Sequence, residues 1–267
     1  MIKKSRDIME NARYLYCVVR AGTQHHLGNI GIDDETVYTV PYGDISAVVH
    51  RCRPLPYDTD DKTLAEGWIL EHSYVIDQAT KLFGTVLPFA FDVIIRGDDS
   101  VIAKWLEVNY IPLRDDLHRV KGKSEYSIRI YCDFKELAGR AQELSPEIKS
   151  IQNEMMREPA GKAYLLGKRL ELKRKDLMSK EANRLKEQLC SRIRLLADEM
   201  KVDDKRGRMR EKRKNLELLA SCSCLVSDEN VESLGEVLDE IQEEKEFEVK
   251  FTGPWAPFNF VNLMEAR

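Results

Sequence analysis

The stretch KTLAEGWILEHSYVIDQATKLFGTVLPFAF, residues 62–91, changes its apolar period partway along, and that change decides the fold class. As far as Phe83, residues Ala65, Trp68, Ile69, Val75, Ile76, Ala79, Leu82 and Phe83 recur at steps of three, four and seven, the spacing of one helix face. Gly84 follows, and glycine tolerates the left-handed backbone common just past a helix end. Thr85-Val86-Leu87-Pro88-Phe89-Ala90-Phe91 then reads as a strand. Pro88, which cannot donate a ladder hydrogen bond, places it at an edge or a bulge. A helix handing over directly to a strand implies a mixed architecture of sheets covered by helices.

Working outward, the aromatic and β-branched run Arg13-Tyr14-Leu15-Tyr16-Cys17-Val18-Val19-Arg20 predicts a buried strand. A polar loop with Gly28 and Gly31 leads to Thr36–Val40 and Ile45–His50, which flank Pro41-Tyr42-Gly43-Asp44 as a hairpin. Downstream, a helix runs from about Ser100 towards Leu117, with a break expected at Pro112, and Tyr126–Cys132 alternates as a strand. Helical pattern from Phe134 to Glu158 is interrupted at Ser145-Pro146, and Pro159-Ala160-Gly161 ends it. Lys162 to Met200 then reads as one helix, with Met178, Ala182, Leu185, Leu189, Ile193, Leu196 and Met200 on one face. At about 1.5 Å per residue it would reach roughly 60 Å. A charged turn at 203–208, a strand at 216–226, a helix capped by Ser227 or Asp228 and a strand at 247–251 complete the pattern. The expected organisation is α+β in two units divided near 120–135, set at 1–123 and 124–252, with an aromatic and proline-rich tail at 253–267.

Composition narrows the function classes. A chain of 267 residues, 43% apolar and 33% charged with net charge −4, is neither disordered nor a disulfide-dense miniprotein. The longest uncharged apolar run, Leu82–Phe91, is far short of a membrane span, and no apolar run follows the basic residues at the start of the chain. A cytosolic protein is expected. Six cysteines without a Cys-x-x-Cys pair fit reduced thiols.

Catalytic signatures are missing. His25-His26 lacks the convergent donors of a metal site and reads as a solvated loop. His72 lies on the apolar stripe of the 62–83 helix; it reads as an acid or base, or more simply as a hydrogen-bonded core histidine. Cys222 and Cys224 share a strand face, but no second cysteine pair accompanies them. Phosphate-binding glycine loops, the nucleophile elbow and His-Glu-x-x-His do not occur. We therefore predict no catalytic, cofactor-binding or metal-binding residues and no enzyme.

Charge offers an alternative. From Lys168 to Lys214 there are 18 basic residues against 9 acidic ones. Lys168, Arg169, Lys173, Arg174, Arg184 and Arg192 form a candidate electrostatic surface, for an acidic protein partner or, alternatively, for nucleic acid. The stretch lacks interleaved aromatic residues for base stacking, and its acidic residues can pair along the helix. In the tail, Trp255, Phe258, Phe260 and Val261 gather large apolar area while Pro254 and Pro257 stiffen the segment. Such a tail either folds back over its own domain or docks on a partner.

Five segments in order resemble the gas vesicle protein GvpL/GvpF family: Tyr14-Leu15-Tyr16; Tyr42-Gly43-Asp44-Ile45-Ser46-Ala47-Val48-Val49; Val86-Leu87-Pro88-Phe89-Ala90-Phe91 after the helix bearing His72; Gly161-Lys162-Ala163-Tyr164-Leu165; and Gly253-Pro254-Trp255-Ala256-Pro257-Phe258-Asn259-Phe260-Val261. Ala90, Asp92 and Ala256 depart from the arginine, glycine and proline frequent there. The resemblance implies a cytosolic, non-enzymatic accessory or minor structural protein of gas vesicles, without cofactor. It also implies an α/β amino-terminal domain and a ferredoxin-like carboxy-terminal domain. The implied partners are the small hydrophobic shell protein and other accessory proteins. On that basis Leu87, Pro88 and Phe89, with the aromatic tail, become the expected contact with the shell protein, and the basic helix the contact with other accessory proteins.

Overall fold

The computed structural model describes residues 11–134, 137, 139, 145–203, 216–244 and 247–261. Two compact units divide the chain: Met1–Glu125 with Pro254–Arg267, and Tyr126–Gly253.

The first unit is organised around β1 (Ala12–Val19), whose eight residues are all buried. Its sheet runs β2 (His26–Asn29), β3 (Thr36–Tyr42), β4 (Ile45–Cys52), β1, β5 (Val86–Pro88), and β6 (Ile94–Arg96) also pairs with β1. β5 lies against residues 17–19 and β6 against residues 12–14, so the two short strands share one edge of β1. A bulge between Leu15 and Cys17 reverses the side-chain parity of β1. Ala12, Tyr14 and Tyr16 before it, and Cys17 and Val19 after it, therefore all enter the same core.

Helix α1 (Lys62–Phe83) covers that core with His72, Val75, Ile76 and Ala79. The Asp61 carboxylate accepts from the Thr63 and Leu64 N–H groups to cap its start, and Gly84, at φ 79°, ends it as expected. Residues pointing to the other side of the sheet meet α2 (Asp99–Val108): Arg13 Nε (2.6 Å) and the Tyr38 hydroxyl (2.7 Å) both donate to the Asp99 carboxylate. The helical break falls at Asn109 rather than Pro112. Asn109 donates from Nδ2 to the Trp105 carbonyl, and Pro112 sits in the first turn of α3 (Tyr110–Arg119), where a missing N–H costs nothing. β2 and β6 were not expected; at four and three residues they are too short to show an apolar period.

The second unit contains β7 (Lys123–Cys132) from Tyr126 on, α4 (Pro146–Met155), α5 (Ala160–Arg194), β8 (Glu199–Val202), β9 (Glu217–Ser227), α6 (Val231–Glu243) and β10 (Phe247–Trp255) as far as Gly253. The order across its sheet, β10-β7-β9-β8, is that of the ferredoxin-like βαββαβ arrangement. Ile128, Ile130, Cys222, Cys224, Leu189, Ile193, Leu234 and Ile241 fill the space between sheet and helices.

Two expectations need correction. The long helix stops at Arg194, not near residue 200. Asp198 donates its N–H to the Leu225 carbonyl and accepts from the Ser227 N–H, drawing the next residues into antiparallel pairing with β9, so Met200 packs from a strand. The tail is not a separate region either: β10 continues to Trp255, and the residues after Gly253 belong to the first unit. Most of the helix expected over 134–144 and of the turn at 203–208 lies outside the described residues.

Candidate functional site

The tail is anchored at one end and displayed at the other. Glu125, buried although charged, accepts from the Asn259 N–H (2.8 Å) and from its side-chain amide. Arg119 donates from Nη2 to the Phe260 carbonyl (2.6 Å) and to Asp116 (2.8 Å), so the guanidinium ties tail to α3. Phe260 donates its N–H to the Pro257 carbonyl in a tight turn. Pro257, Phe260 and Val261 are buried, and Ala256 packs on the core beneath α1. Trp255 and Phe258 remain 52% and 41% exposed. Of the four apolar tail residues singled out from sequence, two are anchors and two are available.

Leu87, Pro88 and Phe89, expected as contact residues, are core. Phe89 donates its N–H to the Tyr16 carbonyl and packs on Trp105 with ring centroids 5.7 Å apart. Their apolar area is already used within the first unit, which leaves none for a partner in this conformation.

His72 is the hydrogen-bonded core histidine, and His50 is its counterpart. The Tyr16 hydroxyl accepts from the Ile32 N–H (3.0 Å) and is hydrogen-bonded to His50 Nδ1 (2.7 Å), and His50 Nε2 is hydrogen-bonded to the Tyr57 hydroxyl (3.2 Å). Tyr14 likewise accepts from the Asp92 N–H (3.0 Å) and donates to His72 Nδ1 (2.9 Å), while His72 Nε2 donates to the Phe89 carbonyl (3.2 Å). Both chains run from a backbone N–H through a tyrosine into a neutral imidazole. Burial lowers both histidines to about 4 from 6.5, for His72 against an opposing effect of the Phe89 carbonyl. Every tyrosine hydroxyl and imidazole nitrogen in these chains has its partner, and the buried thiols of Cys17 and Cys52 share their core. The two chains staple β1 to β4, α1 and the loops at 32, 57 and 92.

Most of the candidate basic surface is neutralised within the chain. Lys168 pairs with Glu171 (3.2 Å), Lys173 with Glu147, Arg184 with Glu181, and Arg192 with Glu240 (2.8 Å) and Glu244 (3.1 Å). Arg169 and Arg174 have no ion pair among the described residues. Cys222 and Cys224 lie 3.9 Å apart in the core; their mutual contact and burial push the Cys222 thiol far up. No group of three or more potential metal ligands occurs among the described residues, and none of their helices is long and apolar enough to cross a membrane. Sequence reading passed over Glu125, Arg119 and His50. Only His50 carried a signal, as a histidine closing the apolar run Ile45–Val49.

Comparison with known proteins agrees with this fold. "Gas vesicle protein L1" of Halobacterium salinarum is 30% identical over 256 residues, covering 94% of this chain and 91% of its own. "Gas vesicle protein L" of Haloferax mediterranei is 29% identical over 232 residues, covering 86% and 72%. The crystal structure of the gas vesicle protein GvpF from Anabaena sp. PCC7120 superimposes with a TM-score of 0.72 at 19% identity, covering 94% of this chain and 98% of that one. GvpF from Microcystis aeruginosa gives 0.67 at 18% identity. Residues 12–262 match the family described as "Gas vesicle synthesis protein GvpL/GvpF", and the chain belongs to that family.

Proposed function

We propose that this protein is a non-enzymatic, cytoplasmic accessory of gas vesicle assembly that holds the hydrophobic shell subunit through the displayed half of its tail. The observation that carries this reading is the pairing of a fixed anchor with two free aromatic rings: Glu125 and Arg119 hold Asn259 and Phe260, while Trp255 and Phe258 stay open. A wall that excludes water needs subunits with a strongly apolar face, and such a face aggregates unless it is covered before assembly. Aromatic rings on a proline-stiffened segment offer large contact area at little entropic cost. Leu87, Pro88 and Phe89 support that segment's domain from within.

The test is co-purification with the shell subunit. Trp255→Ser/Phe258→Ser leaves the anchors intact, so the protein should stay folded while recovery of the shell subunit falls at least about fivefold, as expected for two exposed contact residues worth on the order of 1 kcal/mol together or more. Equal recovery with the variant would reject the tail contact.

A further inference from the structure

We infer that the amino-terminal half of α5 is a docking face for an acidic amphipathic helix of another assembly protein. The inference rests on the assembly role proposed above and names the class of partner at a second surface. Helix α5 has 35 residues, and its two halves pack differently. Its carboxy-terminal half, with Ala182, Leu185, Leu189 and Ile193, seals the ferredoxin-like core. In its amino-terminal half, Leu166, Leu170 and Leu177 pack on Ile148 and Ile151 of α4.

Another face of the same half is uncovered. Leu165 and Leu172 are 67% and 71% exposed. Seven residues apart, they stack two turns along one face, roughly 10 Å from each other. Arg169 lies between them, and Tyr164, also exposed, starts the adjacent row with Lys168 and Lys175. Residues 160–180 hold seven basic and two acidic side chains. Lys162, Lys168, Lys173 and Lys180 have carboxylate partners, whereas Arg169, Arg174 and Lys175 have no ion pair among the described residues, and Arg174 Nε is buried without a hydrogen bond.

The pattern selects its occupant. Leucines at a heptad interval form the seam that another helix fills with its own apolar residues. Arg169 and Lys175 flank the seam and favour carboxylates on the incoming helix, whereas Arg174, about half a turn round from Leu172, faces away from it. A second copy would bring the same cations against these and be repelled. Nucleic acid would satisfy the cations but cover no leucine. A bilayer surface takes a broader apolar face than one seam two residues long.

A labelled three-heptad peptide, with leucine on its seam and glutamate on its flanks, is titrated against the full chain by fluorescence anisotropy. Saturable binding is expected, weakened by about 0.5 M salt and at least about tenfold weaker for Leu165→Ser/Leu172→Ser. Both side chains are exposed, so this variant should melt like the parent. No binding, equal binding of a lysine-flanked peptide, or no effect of the variant overturns the proposal. So does loss in the variant of self-association, or of binding to anionic vesicles or duplex DNA, in place of peptide binding. Flotation separates the two levels: cells lacking the whole chain should fail to float if the assembly role holds, and complementation by the double variant should restore flotation poorly if the docking face is used. Full restoration overturns the docking face alone.

Discussion

At the scale of single residues, the paired tyrosine–histidine chains make a pH prediction. Burial disfavours imidazolium at both His50 and His72, and at His72, whose Nε2 already donates to the Phe89 carbonyl, a proton on Nδ1 would also take the acceptor from the Tyr14 hydroxyl. Both imidazoles are lowered in the folded chain to about 4 from 6.5, so the unfolded chain binds protons first as pH falls. Their stabilisation is complete above pH 6.5 and is lost progressively down to about pH 4, on the order of 3 kcal/mol for each histidine. Urea midpoints measured across that window should drop in the parent and drop clearly less in His50→Gln/His72→Gln, which is weaker at neutral pH but cannot titrate; parallel slopes would clear the histidines of this role. Position on an apolar stripe was enough to read His72 as buried. Its partners Tyr14 and Phe89 lie far away in sequence, and local pattern holds no record of them.

Elements were legible where they were long and periodic. Helix α1 starts and stops where the apolar period and Gly84 imply, and the hairpin β3–β4 turns at Gly43-Asp44, with Pro41 and Tyr42 of the expected turn still paired to Ser46 and Ile45. Errors arose where pairing overrides period. Met200 keeps its place in the helical stripe but joins β8, because the edge of β9 offers it backbone hydrogen bonds. The tail was read as two alternatives, fold-back or docking; Phe260 and Val261 fold back, while Trp255 and Phe258 stay exposed. Its hold is predicted to lie in the anchors. Phe260→Ala should cost about 3 to 5 kcal/mol as a buried aromatic truncation. Glu125→Ala, which strips Asn259 of its acceptor, should cost about 1 to 3 kcal/mol. Chemical denaturation of each variant measures these losses; a change below about 0.5 kcal/mol for both would mean that the tail is a passenger on the first unit.

For the molecule as a whole, the chain path matters more than composition. The basic stretch 168–214 holds 18 basic residues against 9 acidic ones in a chain of net charge −4; of the described pairs on this part of α5, Lys168–Glu171 and Arg184–Glu181 lie within that count, and only Glu147 on Lys173 and Glu240 and Glu244 on Arg192 bring carboxylates from elsewhere in the chain. The sequence reading set a division near residues 120–135, and the two compact units are Met1–Glu125 with Pro254–Arg267, and Tyr126–Gly253. Ownership of the tail could not be read, because it depends on Arg119 and Glu125, more than 130 residues upstream. The first unit is thus built from both ends of the chain, with Tyr126–Gly253 carried as an insertion that has its own core. Cutting at these boundaries should have unequal effects. A fragment of residues 126–253 retains its whole core and should unfold cooperatively by itself. A fragment of residues 1–125 keeps the sheet and α1 but leaves the surfaces beneath Phe260 and Val261 open and the Glu125 carboxylate without Asn259. Adding a peptide of residues 254–267 should raise the melting temperature of that fragment in a saturable, concentration-dependent way, since a ligand that binds only the folded state stabilises it by mass action. A peptide carrying alanine at Phe260 should raise it much less, and a fragment indifferent to both peptides would show that the tail is no part of the first unit's core.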